Sequence, residues 1–261
     1  MKIKTFISSF IALSLCSLLY AGQNEHKDIL TQIKKGVFES VQDKMPKNTL
    51  QDLITAMAEA CYNGDEDISE VKKIMQKEDL NADDYSQALY ECAQIEYECF
   101  PIQEKIATVL IENGADVNAF RYYRVSTLSE AILARNLELV KFLVKNGAYV
   151  NEEGKDKLIY NNYLLASAAF RYREDILTFL IDNGADVNLT VNGDNSLDTL
   201  MHYFSPRKKA AALLIKHGVQ ITDRVFNYVK ENDMGYNGYG GVPGTYKYLK
   251  EEQEKQQRRN R

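Results

Sequence analysis

One phrase recurs along the chain and fixes what it can fold into. Ile111-Glu112-Asn113-Gly114-Ala115-Asp116-Val117-Asn118 returns as Val144-Lys145-Asn146-Gly147-Ala148-Tyr149-Val150-Asn151, and again as Ile181-Asp182-Asn183-Gly184-Ala185-Asp186-Val187-Asn188. A weaker copy runs from Ile215 to Thr222 around Gly218, and the four glycines stand 33, 37 and 34 residues apart. A fixed period of this length means one small structural unit stacked on copies of itself. Leu139, Val140, Leu143 and Val144 precede Gly147, and Ile176, Leu177, Leu180 and Ile181 precede Gly184. Spacings of one, three and four make an apolar helical stripe that needs a partner. The glycine supplies the left-handed residue that ends such a helix without a Cβ penalty. After it, the Val is expected extended and buried, while Asp and Asn bond nearby backbone groups and set a turn.

Each unit holds a second helix. Leu128 stands 19 residues before Gly147, and Leu165 stands 19 before Gly184. Helix pairs at a period near 33, joined by Gly-Ala-Asp-Val-Asn phrases, resemble the ankyrin repeat family over most of the chain after the first 50 residues. The family's Thr-Pro-Leu-His-x-Ala pattern stands here as Ser126-Thr127-Leu128-Ser129-Glu130-Ala131 and Tyr163-Leu164-Leu165-Ala166-Ser167-Ala168. Only Leu and Ala survive. The resemblance implies an all-α ankyrin-repeat solenoid of about five helix-pair repeats, with short hairpin fingers and terminal capping helices. The family's Thr and His bond across the loop between repeats, and their loss implies individually weak repeats that depend on their neighbours. Tetratricopeptide arrays, the alternative, lack the hairpin phrase.

The organisation follows from these anchors. Residues 1–21 are read as an export signal: Lys2 and Lys4, an apolar run from Phe6 to Leu19, and Ala21 before the cut. The run is shorter than the ~20 apolar residues a spanning helix needs, and no other segment is apolar enough to span. Residues 22–48 are expected to form a capping helix, with Ile29, Leu30, Ile33, Val37, Phe38 and Val41 on one face and Pro46 closing it. The repeats occupy 49–232. The link Glu96–Pro101 and the finger Glu152–Asn162 are longer than the pattern requires, and Pro206 starts the last outer helix. Residues 233–261 read as a flexible polar tail, a glycine-rich loop followed by a solvated, frayed helix.

The chemistry-bearing residues are scattered. His26, His202 and His217 lie in different elements, and Cys61, Cys92 and Cys99 form no Cys-x-x-Cys pair, so no metal site is expected. No Gly-x-Ser-x-Gly or phosphate-binding loop is present. Asp65, Glu66 and Asp67 read as a solvated turn. No catalytic residues and no cofactors are expected. For the cysteines, a Cys61–Cys92 disulfide, a Cys92–Cys99 disulfide and three buried thiols all stay open. Losing Lys2 and Lys4 with the signal shifts the formal charge from −5 by two units, to −7. With no basic stripe, this disfavours nucleic acid as a partner.

What remains is surface. In the family, partners bind the finger tips and inner helices. The richest finger is Phe120-Arg121-Tyr122-Tyr123-Arg124, with Tyr160 and Tyr163 around the next, and Tyr and Arg dominate binding hot spots. The expectation is a non-catalytic module in the bacterial periplasm, or secreted, binding a protein partner through these residues. An accessory or immunity protein for a periplasmic enzyme or toxin is the nearest alternative, and an enzyme in its own right is the third.

Overall fold

The computed structural model describes residues 49–64, 66–77, 79–95, 99–121, 125–151, 163–203, 208–233 and 244–259. The export signal, the helix expected at 22–48, Pro206 and the finger 152–162 lie outside the described residues. Contacts divide the chain into two units at Gln51/Asp52. The repeats belong to the second, from Asp52 onward.

Helices alternate in pairs. Inner helices are α1 (Thr49–Asn63), α3 (Ala82–Gln94), α5 (Thr127–Leu133), α7 (Tyr163–Phe170) and α9 (Ser196–Tyr203). Their outer partners are α2 (Ser69–Met75), α4 (Phe100–Glu112), α6 (Leu137–Lys145), α8 (Glu174–Asp182) and α10 (Lys208–Lys216). Helices α11 (Arg224–Asp233) and α12 (Thr245–Arg259) close the array. Inner helices pack in sequence, α3 on α5, α5 on α7, α7 on α9 and α9 on α11, while α4, α6 and α8 pack in a second row. These are the stacked helix pairs that the resemblance implies. Its core is the stripes: Leu128, Ile132, Leu139, Leu143, Leu164, Ile176, Leu177 and Leu180 are all at most 1% exposed. Fully burying each such side chain contributes about 1.5–3 kcal/mol.

The phrase is a stop signal followed by a bracket. At Gly184, with φ +94°, the N–H donates to Ile181 O at 2.9 Å, and the Ala185 N–H donates to Leu180 O at 2.9 Å. This pair of bonds satisfies the last carbonyls of α8. The same two bonds recur at Gly114, Gly147 and Gly218. The asparagine four residues on then reaches the next repeat. Asn118 Nδ2 donates to Gly147 O at 2.9 Å, and its Oδ1 accepts from the Tyr149 N–H at 2.9 Å. Asn151 holds Gly184 O and the Asp186 N–H the same way, and Asn188 holds Gly218 O and the Gln220 N–H. Each carboxamide therefore pairs with two backbone groups of an extended segment, as a neighbouring strand would.

The ends of this ladder use other residues. At its start, Ser86 Oγ accepts the Asp116 N–H at 2.8 Å. At its finish, Thr222 stands where the phrase has Asn, and its hydroxyl donates to the buried Asp198 at 2.8 Å. The free edge of 219–221 is taken by α12: Gln256 Nε2 donates to Val219 O at 2.8 Å, and its Oε1 accepts from the Ile221 N–H at 3.1 Å. Gln253 Nε2 donates to Ile221 O at 3.2 Å. The helix expected to be frayed and solvated within a flexible tail is instead docked. Thr245 and Leu249 are fully buried, and the Phe226 and Tyr246 rings meet edge to face at 5.2 Å. Tyr246, Leu249, Gln253 and Gln256 recur at spacings of three and four and share one face, which the segment's overall polarity conceals.

The long link in the second repeat is also resolved differently from expectation. Pro101 is in the first turn of α4 rather than in the link, where its missing N–H costs nothing. Gln103, fully buried, donates to Cys92 O at 3.0 Å and Ile95 O at 2.9 Å, and accepts from Asn136 Nδ2 at 2.9 Å. It ties the end of α3 to the start of α6, whose N-cap is Asn136.

Leu143 is fully buried in α6, between two repeats. Leu143→Ala is expected to cost about 2–5 kcal/mol in chemical denaturation followed by helical circular dichroism; a loss below about 1 kcal/mol would show that the residue is not core.

Candidate partner-binding site

The first finger is a hairpin. Strands β1 (Phe120–Arg121) and β2 (Val125–Ser126) pair antiparallel, Phe120 opposite Ser126 and Arg121 opposite Val125. Ser126 ends the hairpin and begins α5 as its N-cap, accepting the Ser129 N–H at 3.2 Å. The run that composition singles out therefore begins with β1. Tyr122, Tyr123 and Arg124 themselves lie outside the described residues, as does Tyr160. Tyr163 opens α7, one repeat further on, so it does not belong to this finger.

A residue not among the sequence-derived candidates lies at the root of this hairpin. Tyr149 occupies the place held by Asp116 and Asp186 in the sister phrases. Its N–H is fixed by Asn118, two residues before Phe120, while its side chain is 60% exposed. The sequence does carry the signal: one aromatic where two near-copies have a carboxylate.

The finger at 189–194 behaves differently. Val191 and Asp194 bridge across an Asn192-Gly193 turn with φ of +53° and +86°, the pairing that a two-residue hairpin turn favours. Arg224 of α11 lies over it, with Nε 2.8 Å from Asp194 Oδ1 and a terminal nitrogen donating to Asn192 O at 3.2 Å. A Cβ on Gly193 would meet that guanidinium at 2.6 Å. The Tyr228 hydroxyl donates to Asp194 at 2.9 Å, and His202 stacks on Tyr228 at 4.4 Å. This finger is packed against its own chain.

Inner helix α7 is enclosed. Leu164 to Ala169 of α7 are six consecutive residues, each at most 3% exposed. Two inner-helix carboxylates are perturbed. Burial holds the Glu130 carboxyl above its ordinary range, opposed by the Tyr90 hydroxyl, which donates to it at 2.8 Å, and by the Arg171 guanidinium. Burial likewise raises Asp198, which accepts the Asn195 N–H at 3.1 Å and the Thr222 hydroxyl. Both acids bond groups from neighbouring repeats or from their own cap, a structural use. Among the described residues, no three His, Cys, Asp or Glu side chains are grouped to hold a metal ion, and no helix is long and apolar enough to cross a membrane.

The Glu130 shift has a definite sign. A carboxyl whose folded-state pKa is raised binds more protons folded than unfolded, so its contribution to stability declines as pH rises through that pKa. Glu130→Gln keeps an acceptor for Tyr90 and removes the buried charge. In denaturation at a series of pH values, the variant is expected to gain stability relative to the parent from pH 4 to pH 8. A constant difference across that range would contradict the account.

No family model matches the chain. A protein of Acanthamoeba polyphaga mimivirus, "Putative ankyrin repeat protein", is 29% identical over 102 residues, 36% of this chain and 30% of that one, so the match spans about a third of the relative's length. Among solved structures, the human ASB11 ankyrin repeat domain is 15% identical with a TM-score of 0.48, covering 75% of this chain and 82% of that one. The recurring phrase, the helix pairs it joins and the asparagine brackets between them make a paired-helix repeat array, similar over 102 residues to the mimivirus protein.

Proposed function

We propose that the array binds another protein, without catalysis of its own, through Tyr149 and the 120–124 finger, and that it does so in the bacterial periplasm. One observation carries the first part: a tyrosine 60% exposed on backbone that the neighbouring repeat holds in place. An aromatic side chain on a rigid support loses little entropy on binding and offers both apolar area and a hydroxyl. The finger rooted beside it carries Phe120, Arg121, Tyr122, Tyr123 and Arg124. Arg flanking aromatics adds stacked and bidentate contacts. The packed finger at 191–194 and the enclosed helix α7 are poorer surfaces than Tyr149 and this finger. The periplasmic setting is supported by Lys2, Lys4, the apolar run from Phe6 to Leu19 and Ala21.

Two measurements test this. The full chain, immobilised, is used to capture partners from periplasmic extract of the native host. Tyr149→Asp restores the sister phrase, and combined with Arg121→Ala, Tyr122→Ala and Arg124→Ala it is expected to leave helical circular dichroism intact and weaken capture about tenfold, or about 1.4 kcal/mol. Unchanged capture by an intact fold would move the site elsewhere. Intact mass of the protein from its host is expected to lack Met1 to Ala21; a mass that includes them would overturn the export reading.

A further inference from the structure

The negative charge of the chain conceals a reversal along the array. Residues 52–118 hold 16 Asp and Glu against four Lys and Arg, a net charge of −12, whereas residues 205–261 hold six against 12, a net charge of +6. Ion pairing erases neither sign. In the first two repeats Lys73, Lys77 and Lys105 each pair with an acid of the same repeats. Glu59, Glu104 and Glu112 are exposed there, with no cationic partner among the described residues. In the closing helix α12, Glu251, Glu252 and Glu254 pair with Lys247, Lys255 and Arg258. Lys250 of α12, with Lys208 and Lys209 at the start of α10, is exposed and has no acidic partner among the described residues, and neither do those two. These three cations stand around the first turns of α12. Lys208 Nζ lies 4.8 Å from the centre of the Tyr248 ring, and Lys250 Nζ lies 5.6 Å from that of Phe226. A ring face attracts a cation without neutralising it. The ammonium groups are therefore held in place while their charge stays available, and ordering them on binding costs less than ordering free lysines.

We infer that Lys208, Lys209 and Lys250 form a docking surface for the acidic first two repeats of a second copy of this chain, so that copies associate head to tail. Charge complementarity argues for that occupant. Each copy carries the opposite charge at its other end, at a concentration equal to that of the patch. The contact is heterologous, because a two-fold contact that set the patch against itself would oppose cation to cation. Exposed charges of this kind govern encounter and choice of partner more than raw affinity, so the association is reversible and is weakened by salt. The inference uses neither Tyr149 nor the 120–124 finger and is independent of the partner proposed above.

The test is sedimentation velocity of the full chain over a range of concentrations, at about 20 mM and about 500 mM salt, which give weak and strong screening. At low salt the weight-average mass is expected to rise with concentration above that of one chain, and at high salt to return to it. Two charge reversals follow. One variant combines Lys208→Glu, Lys209→Glu and Lys250→Glu; the other combines Glu59→Lys, Glu104→Lys and Glu112→Lys. Each is expected to keep its helical circular dichroism and to weaken self-association by about tenfold or more. Mixed one to one, the two variants are expected to pair as a dimer and grow no further, because one keeps only its acidic end and the other only its basic end. If Lys208→Glu disturbs the fold, Lys209→Glu with Lys250→Glu takes the place of the triple. A chain that stays monomeric at every concentration in low salt overturns the inference, even if its cationic patch holds anionic lipid vesicles or DNA. So does self-association that survives either reversal, or a mixture that does not recover the dimer.

Discussion

The asparagine bracket is the interaction on which the rest of this array depends. The glycine stop satisfies the last carbonyls of each outer helix within its own repeat, but the extended segment that follows it takes its bonds from the repeat before. Asn118, Asn151 and Asn188 each supply one donor and one acceptor to that segment. The apolar stripes hold helices together at any of several offsets, but the carboxamide fits only one. It sets how each repeat sits on the one before it, and it gives the chain cross-repeat bonds in place of the Thr and His that the inner helices lack.

The ends show the same constraint from the other side. Ser86 accepts the Asp116 N–H, whose equivalents in later repeats donate to an asparagine, and Gln253 and Gln256 of α12 take the edge of 219–221. A solenoid with an open edge leaves unpaired backbone groups and invites association. Helix α12 closes that edge with side-chain amides rather than another repeat.

Much of this was legible in the sequence, and the reasons differ by element. Repeat number, helix pairing and the glycine stops were readable because period and stripe are local and repeated; Leu139, Leu143, Leu177 and Leu180 announce themselves. The docking of α12 was not readable, because four contact residues on one face are outvoted by a surrounding excess of charge. The start of α4 was not readable either, since Pro101 reads equally as loop or first turn. The candidate surface was half legible. The finger stood out by composition, whereas Tyr149 matters only once the asparagine bracket shows its backbone fixed and its ring outward.

Partner binding and stability meet at the same bracket, since Asn118 both joins two repeats and holds Tyr149. The most direct test of its role uses the equivalent residue that does not hold Tyr149. Asn151→Ala removes the bonds to Gly184 O and the Asp186 N–H. In urea denaturation at neutral pH the account predicts a loss of about 1–3 kcal/mol, two hydrogen bonds at roughly 0.5–1.5 kcal/mol each. A loss below about 0.3 kcal/mol would contradict it, and would leave the apolar stripes alone as what sets one repeat on the next.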